Sequence, residues 1–184
     1  MFNRIPFLFG MLIVLVTSAG FSLTLAKASL DELASESAII VHGEVKSIEY
    51  QWEDASQRAI NTLVTVDVME YLKGSDQSEI VVKQMGGKIG DLTDKVDGTP
   101  VFQAGEEVIL FLVEYHGDYY IHSIVLGSFR VFVDAKNTKR VINDLRNIHL
   151  VDPDTGKEVL PKDALTPFRF DAFISKINSL LSQQ

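Results

Sequence analysis

The middle of this sequence carries extended segments in close succession, with no helical segment between them. From residue 38 to residue 143, runs rich in Val, Ile and aromatic residues are separated by polar or Gly-containing turns. Strands joined by short turns pair antiparallel, whereas a doubly wound parallel sheet needs a helix between consecutive strands. The sequence therefore predicts a mainly β protein, built as a small closed antiparallel barrel.

Several segments define this prediction. In residues 38–50 apolar side chains alternate with polar ones, and Gly43 interrupts the run, which is typical of a bulge or a sharp bend. Residues 107–115 are apolar almost throughout, which indicates burial of both faces. We predict a polar loop over residues 50–59. We also predict an irregular connection over residues 85–105, which hold five Gly and one Pro without a clear period.

Helical signals flank the strands. Ser29 and Glu32 have the spacing of a capping box, which predicts a short N-terminal helix. Near the other end, Thr166 and Pro167 read as an N-cap followed by Pro at the first helical position. The apolar residues after them recur at helical spacing and predict an amphipathic helix packed on the barrel: Phe170, Phe173, Ile174, Ile177 and Leu181.

The first 28 residues have the pattern of a signal peptide. Arg4 precedes an apolar stretch over residues 5–16, and Ala26-Lys27-Ala28 fits a small-x-small cleavage site. The alternative is an uncleaved anchor helix, since residues 5–26 are long enough to span a bilayer, although small polar residues and Gly weaken it. Cleavage predicts a secreted or periplasmic protein with no stable membrane insertion. The predicted parts are the signal peptide (1–28), the barrel domain (29–150), and a C-terminal turn and helix (151–184).

The composition excludes several classes of function. The chain contains no Cys, which removes disulfides, thiol catalysis and thiolate metal sites. Its formal charge is −8, and loss of the first 28 residues takes away two basic residues and no acid, which gives −10. Nucleic acids and anionic membranes favour clustered Lys and Arg, so we expect neither as a partner.

We find no motif for catalysis or for metal binding. The four His residues lack ligand spacing, and no nucleophile elbow or phosphate loop occurs. We interpret the His residues as solvent-facing strand residues, and we predict no catalytic residue, no metal and no cofactor. An enzyme with an unrecognised site is an open alternative, which predicts that His42, Glu44 and His122 converge in one pocket.

Three segments resemble netrin-like modules and the tissue inhibitors of metalloproteinases, in a Cys-free bacterial version. They are residues 37–45 (SAIIVHGEV), 70–74 (EYLKG) and 104–111 (AGEEVILF). The resemblance implies a barrel of the oligonucleotide/oligosaccharide-binding (OB) type over about residues 37–127, and a metalloprotease as partner. Those inhibitors present an N-terminal Cys to the protease zinc. Here the expected first residue is Ser29, so that mode of inhibition is not carried over.

Trp52 is the residue that we single out as a binding anchor. It is the only Trp, and it lies in the predicted loop between the first two strands. In OB-type barrels this loop helps to form the ligand side, and Trp is common among interface anchors. The alternative is that Trp52 folds back and caps the barrel end. The predicted binding surface joins this loop to the Gly-rich segment after the third strand: Tyr50, Trp52, Met85, Gly86, Gly87 and Ile89.

From these features we expect an exported, non-catalytic module that binds a protein partner, by resemblance an exported protease. Besides the enzyme, a second alternative stays open, an envelope-associated structural domain that assembles through its C-terminal helix. That alternative requires an exposed apolar face made of Phe170, Phe173 and Ile177.

Overall fold

The structure, a computed structural model, describes residues 23–26, 28–74, 76–145, 148–152, 155–159 and 167–183. The basic start and the apolar stretch of the predicted signal peptide lie outside the described residues, as do Lys27 of the cleavage motif and Thr166 of the predicted N-cap. Within the described ranges, no helix has the length and apolarity that a membrane crossing requires.

The described chain is mainly β, with a short helix near the N-terminus and a longer helix at the C-terminus, as the sequence predicts. The helices are α1 (Leu30–Glu36) and α2 (Phe170–Leu181), and a 3₁₀ turn spans Ile124–Gly127. The strands are β1 (Leu23–Ala26), β2 (Ile39–Trp52), β3 (Ile60–Lys73), β4 (Glu79–Met85), β5 (Gly87–Ile89), β6 (Leu92–Asp94), β7 (Glu107–Tyr115), β8 (Asp118–Ile121), β9 (Ser128–Val133), β10 (Lys139–Ile142), β11 (Ile148–Val151), β12 (Glu158–Val159) and β13 (Phe168–Arg169).

Among the described strands, five pair in a ring. β2 lies between β3 and β7, β4 follows β3, and β8 pairs with both β4 and β7. The pairs are antiparallel except β4–β8, which is parallel and is aligned only at Val82 and Tyr119. The sheet continues outward from β7 through β9, β10 and β13, and two smaller sheets contain β1-β11-β12 and β5-β6.

β7 separates two apolar cores, which explains its almost continuous apolar sequence. Val108, Leu110 and Leu112 belong to the core inside the ring, whereas Ile109 and Phe111 face the two helices. All five side chains are at most 1% exposed, so the predicted burial of both faces is confirmed. The helix-side core also contains Leu33 and Ala34 of α1 and Phe173, Ile177 and Leu180 of α2.

The two helices differ in how well their starts could be predicted. The capping box of α1 is confirmed, because the Ser29 amide donates to Glu32 Oε2 at 2.6 Å and the Glu32 amide donates to Ser29 Oγ at 3.1 Å. The predicted start of the second helix is wrong. Phe168 and Arg169 pair with β10 as strand β13, and α2 begins only at Phe170.

The strands hold one confirmed irregularity and two corrections. A register shift lies between His42 and Gly43, as the mid-strand Gly predicts. The predicted polar loop over residues 50–59 is shorter than expected, since β2 continues to Trp52, which pairs with Ile60. The predicted irregular connection over residues 85–105 contains a small hairpin made of β5 and β6.

Candidate functional site

A cavity of about 180 Å³ lies where the ends of β2, β3 and β4 meet the connection that crosses in front of them. Ile48, Val64 and Phe102 line this cavity and also contact the core inside the ring, so the cavity lies at one end of the ring interior. The connection supplies residues 94–96 and 99–102 of the wall. We call this space the ring-end cavity.

The rim of the ring-end cavity carries exposed apolar side chains next to the charged residues Asp94 and Lys95. Tyr50, Met85 and Val101 line it and are 49%, 62% and 79% exposed. They come from β2, from the end of β4 and from the connection, which are remote in sequence. The fold therefore places three large exposed apolar side chains around one opening.

Gly86 and Gly87 allow the chain to turn beside Tyr50. Gly86 has a φ of 92°, its amide donates to the Ile60 carbonyl at 2.8 Å, and its carbonyl accepts from Thr62 Oγ1 at 2.7 Å. A Cβ atom at Gly87 would lie 2.7 Å from Cδ1 of Tyr50 and 2.9 Å from Cγ2 of Ile60. A side chain at position 87 would therefore displace the Tyr50 ring from the rim.

Gln84 gives the cavity wall a polar group. Gln84 is 7% exposed, and its side-chain Nε2 donates to the Pro100 carbonyl at 3.4 Å. Because a carbonyl only accepts, this contact fixes which end of the amide faces Pro100. Gln84 Oε1 is buried and finds no hydrogen-bond partner within the described part of the chain.

The structure unites four of the six predicted binding residues. Tyr50, Met85, Gly86 and Gly87 line the ring-end cavity, whereas Trp52 and Ile89 are not part of its wall. Trp52 is half-buried at the end of β2, and Ile89 is half-buried in β5 opposite Leu92.

Sequence reasoning missed Val101 and Gln84. The adjacent apolar residues Val101 and Phe102 directly after Pro100 are the local signal available for Val101. Gln84 carried no comparable signal, because its place in the wall depends on the pairing of β4 with β3.

A larger cleft of about 1000 Å³ adjoins the same connection. Its lining includes Val125, Ser128, Arg130 and Ile148, together with residues 95–103. Arg130 Nε lies 2.7 Å from Glu106 Oε1, and the other carboxylate oxygen of Glu106 accepts the Gln103 amide at 2.9 Å. Residues 95–96 and 99–102 of the connection thus line both spaces.

The interpretation of His42 as a solvent-facing residue is wrong, since it is only 7% exposed. His42 follows Ile40 by two residues and so shares its helix-side face of β2, where the His42 ring lies 5.0 Å from the ring of Phe170. His42 Nε2 lies 2.5 Å from Glu107 Oε1, and Lys139 pairs with the same oxygen and lies over the Phe170 ring. We call these four residues the His42 cluster.

The carboxylate of the His42 cluster is held in its charged form. Burial opposes the ionisation of Glu107, but the hydrogen bonds from Lys139 and His42 outweigh burial and keep the pKa of Glu107 below its ordinary value. Each member has its contacts within the cluster, and none of the four lines either cavity. Through Phe170, which contacts His42 and Lys139, the His42 cluster connects the start of α2 to strands β2 and β10.

The residues of the enzyme alternative do not converge. His42 pairs with Glu107, whereas His122 Nε2 lies 3.3 Å from Glu36 Oε2 at the end of α1, and Glu44 is exposed. None of them lines the ring-end cavity or the larger cleft. Across the described ranges, no three His, Asp or Glu side chains are grouped so that they would hold a metal ion.

No protein-family model matches this sequence, and no curated protein matches it. The features that bear on function are therefore geometric, and the ring-end cavity with its exposed rim is the foremost of them.

Proposed function

We propose that this chain is a non-catalytic protein-binding module that docks a partner protein on the rim of the ring-end cavity. The observation that carries the proposal is the grouping of Tyr50, Met85 and Val101, each about half exposed or more, around one opening. Single exposed apolar residues are ordinary on a protein surface, but a contiguous group marks an interaction site. Tyr and Met are also enriched in the centres of protein interfaces.

Trp52 extends this rim along β2. Alternate residues of a strand share a face, so Trp52 lies on the same face as Tyr50. Ile89 and Leu92 face each other in the adjoining hairpin, and Leu92 is 61% exposed. The docking surface that we propose thus has the ring-end cavity at its centre, with Trp52 and the β5–β6 hairpin beside it.

The finer fold that we propose is a closed OB-like barrel of the netrin-like type. Pairing of β8 with both β4 and β7 supports closure, and the ring interior is filled by aliphatic side chains. The segments that carry the resemblance fall on the adjacent strands β3, β2 and β7. At Gly74, which has a φ of 97°, a Cβ atom would lie 2.9 Å from the Ala38 carbonyl, so the Leu-Lys-Gly segment packs directly on the start of β2.

The partner that the resemblance suggests is an exported metalloprotease, bound at the rim rather than through the N-terminal amine. The Ser29 nitrogen is hydrogen-bonded to Glu32 within the cap of α1. An amine held in this way has to leave its carboxylate partner before it can bind zinc. Binding at the rim needs no such rearrangement.

Export after cleavage at Ala28 completes the proposal, with a secreted or periplasmic location. A net charge of −10 after cleavage suits a soluble exported partner better than a nucleic acid. The assembly alternative loses its support, because Phe173 and Ile177 of α2 are buried in the helix-side core.

The test is capture of the partner from the exported proteins of the native cells, followed by measurement of its affinity for purified variants. Val101→Asp places a charge on the most exposed rim residue, and we expect it to weaken binding at least about tenfold, since interface anchors contribute about 2 kcal/mol or more. Met85→Glu should act in the same direction.

Val133→Asp is the matched control. Val133 is a 61% exposed Val in β9 that lines neither cavity, so the same substitution there should leave the affinity unchanged. Equal loss of affinity in both variants, or none in either, would remove the rim as the docking site. Inhibition of a captured protease is scored separately, by cleavage of a peptide substrate.

A further inference from the structure

β1 pairs in parallel with β11 over its whole length. Leu23, Leu25 and Ala26 align with Ile148, Leu150 and Val151. These residues of β1 precede the proposed cleavage site after Ala28. Processing would therefore remove one strand from the three-stranded sheet and leave β11 as an edge on that side.

The loss would also uncover apolar side chains. Leu25 packs against a small core made of Val125, Leu126, Leu145, Ile148 and Leu150. With β1 in place, Ile148 and Leu150 are 7% and 2% exposed. β12 pairs with the opposite edge of β11, at Leu150 and Val151, so only the β1 side becomes free.

A free edge of this kind attracts another strand. It presents unpaired backbone N–H and C=O groups beside an apolar surface, and natural proteins cover or charge such edges because other chains pair with them. Addition of a peptide strand to a sheet edge is a recurrent mode of recognition, in which the backbone supplies affinity and alternate side chains supply specificity.

We propose that in the processed chain the β11 edge is a strand-addition site for an extended, apolar segment of a partner protein, which lies parallel to β11 with an apolar side chain in the place of Leu25. The proposal rests on the proposed export and cleavage. β1 itself defines the chemistry of the occupant, since its sequence, Leu-Thr-Leu-Ala, is uncharged and has alternating apolar residues.

The place that β1 leaves beside β11, which we call the slot, is next to a space that can hold more of the partner. Val125 and Ile148 contribute to the small core under β1 and also line the larger cleft. A peptide that leaves the β11 edge therefore has the cleft of about 1000 Å³ beside it. The cleft can therefore hold the part of the partner that continues beyond the β11 edge, whereas the ring-end cavity is not involved in this site.

The experiment produces the full chain in an exporting host, reads the N-terminus of the exported form by mass spectrometry, and titrates that form with a capped peptide of the sequence of residues 22–26. We expect saturable binding and a raised unfolding temperature. The unprocessed full chain, whose slot is filled by its own β1, should bind the peptide at least about tenfold more weakly.

Two pairs of probes separate strand addition from simple apolar adhesion. A peptide with Leu25→Asp should lose binding at least about tenfold, because one buried Leu side chain contributes about 1.5–3 kcal/mol. Peptides N-methylated at positions 23 and 25, or at positions 24 and 26, should differ sharply, because only alternate residues of a strand donate to one neighbour.

Equal binding of the two N-methylated peptides, or no binding of the parent peptide, would overturn the proposal. So would an exported chain that begins upstream of Leu23, or a dimer of processed chains that the peptide does not dissociate. Met85→Glu should leave peptide binding unchanged, because Met85 lines the ring-end cavity and not the larger cleft. Failure at the ring-end cavity and failure at β11 therefore give different results.

Discussion

Gly43 allows the backbones of β2 and β3 to come close together, because it has no side chain. A Cβ atom there would lie 2.4 Å from the Asp67 carbonyl oxygen and 2.7 Å from Val66 Cγ1, inside the ring pairing of β2 with β3. We expect Gly43→Ala to lower the free energy of unfolding by about 2–3 kcal/mol, because the neighbouring strand has to move. Urea denaturation measures the change.

Gly90→Ala is the control for Gly43→Ala. Gly90 has a φ of 59° and no atom within 4 Å of a new Cβ, so Ala there costs only the left-handed conformation, about 1 kcal/mol. A Gly43→Ala protein that is as stable as the Gly90→Ala protein would contradict the close approach of β2 and β3.

Glu107 makes the attachment of α2 dependent on pH. Its pKa is lowered in the folded state, against burial, by the hydrogen bonds from Lys139 and His42. A lowered folded pKa gives stability that is present above the unfolded value of about 4.3 and is lost as the pH falls through the folded value. We expect Glu107→Gln to be less stable than wild type at pH 7, with a difference that shrinks below about pH 4.

Thermal unfolding of both proteins between pH 3 and pH 7 measures this convergence. Glu44→Gln removes the same charge from an exposed residue aligned with Glu107 in the β2–β7 pair, and controls for net charge. A gap between wild type and Glu107→Gln that stays constant over the whole range would contradict the prediction.

At the level of the elements, substitutions in α2 show whether this helix and the sheet unfold as one unit. Ile177 is 0% exposed in the core that also contains Ile40 and Phe111 of the sheet. We expect Ile177→Ala to cost about 2–5 kcal/mol and to shift the unfolding of the whole chain. Lys176→Ala, on the exposed side, should change stability by at most about 0.5 kcal/mol.

Circular dichroism for the helix and Trp52 fluorescence for the sheet follow these two variants through urea. Coincident transitions are the expected result, since a shared core couples the elements. Loss of helical signal before the fluorescence changes would mean that α2 unfolds alone.

The sequence predicted those elements whose signals are local. β7 has the expected bounds because its apolar run is long and is closed by a turn, and the cap of α1 follows from Ser29 and Glu32 alone. The start of α2 was not predictable, because pairing of Phe168 and Arg169 with β10 overrides the local preference for Pro167 at a helix start. The same holds for Trp52: its polar neighbours predict a loop, but pairing with Ile60 places it in β2.

The residues of the candidate site likewise fall into those with a local sequence signal and those placed by the tertiary structure. The sequence predicts Tyr50, Met85, Gly86 and Gly87 because an aromatic side chain and a Gly pair are recognisable locally, and all four line the ring-end cavity. Val101 belongs to the rim only because residues 94–102 cross back over the ends of β2, β3 and β4, and no short-range pattern encodes that crossing. The larger cleft likewise depends on which strands meet across the chain.

For the whole molecule, the junction of β4 and β8 is where the strand ring is most weakly closed. The two strands are aligned at one residue pair, Val82 and Tyr119, and Lys83 Nζ lies 2.8 Å from Asp118 Oδ2 beside it. The hydrogen bond to Asp118 raises the pKa of Lys83. A raised folded pKa gives stability that is present below the unfolded value and is lost as the pH rises through the folded one.

Native-state hydrogen exchange tests this weak closure. Amides of β8 should have a lower free energy of opening than those of β2 and β7, because β8 is held to β4 at one residue pair only, whereas the pairings of β2 and β7 each extend over at least four residue pairs. Asp118→Asn removes the partner of Lys83, and an exposed ion pair contributes at most about 1 kcal/mol, so exchange in β8 should rise by no more than about fivefold.

Asp134→Asn is the matched control for Asp118→Asn, because Asp134 pairs with Arg140 between β9 and β10, away from the junction. Its effect should stay in those two strands. If β8 were as protected as the centre of β7, or if both variants loosened β8 equally, closure would be uniform around the ring.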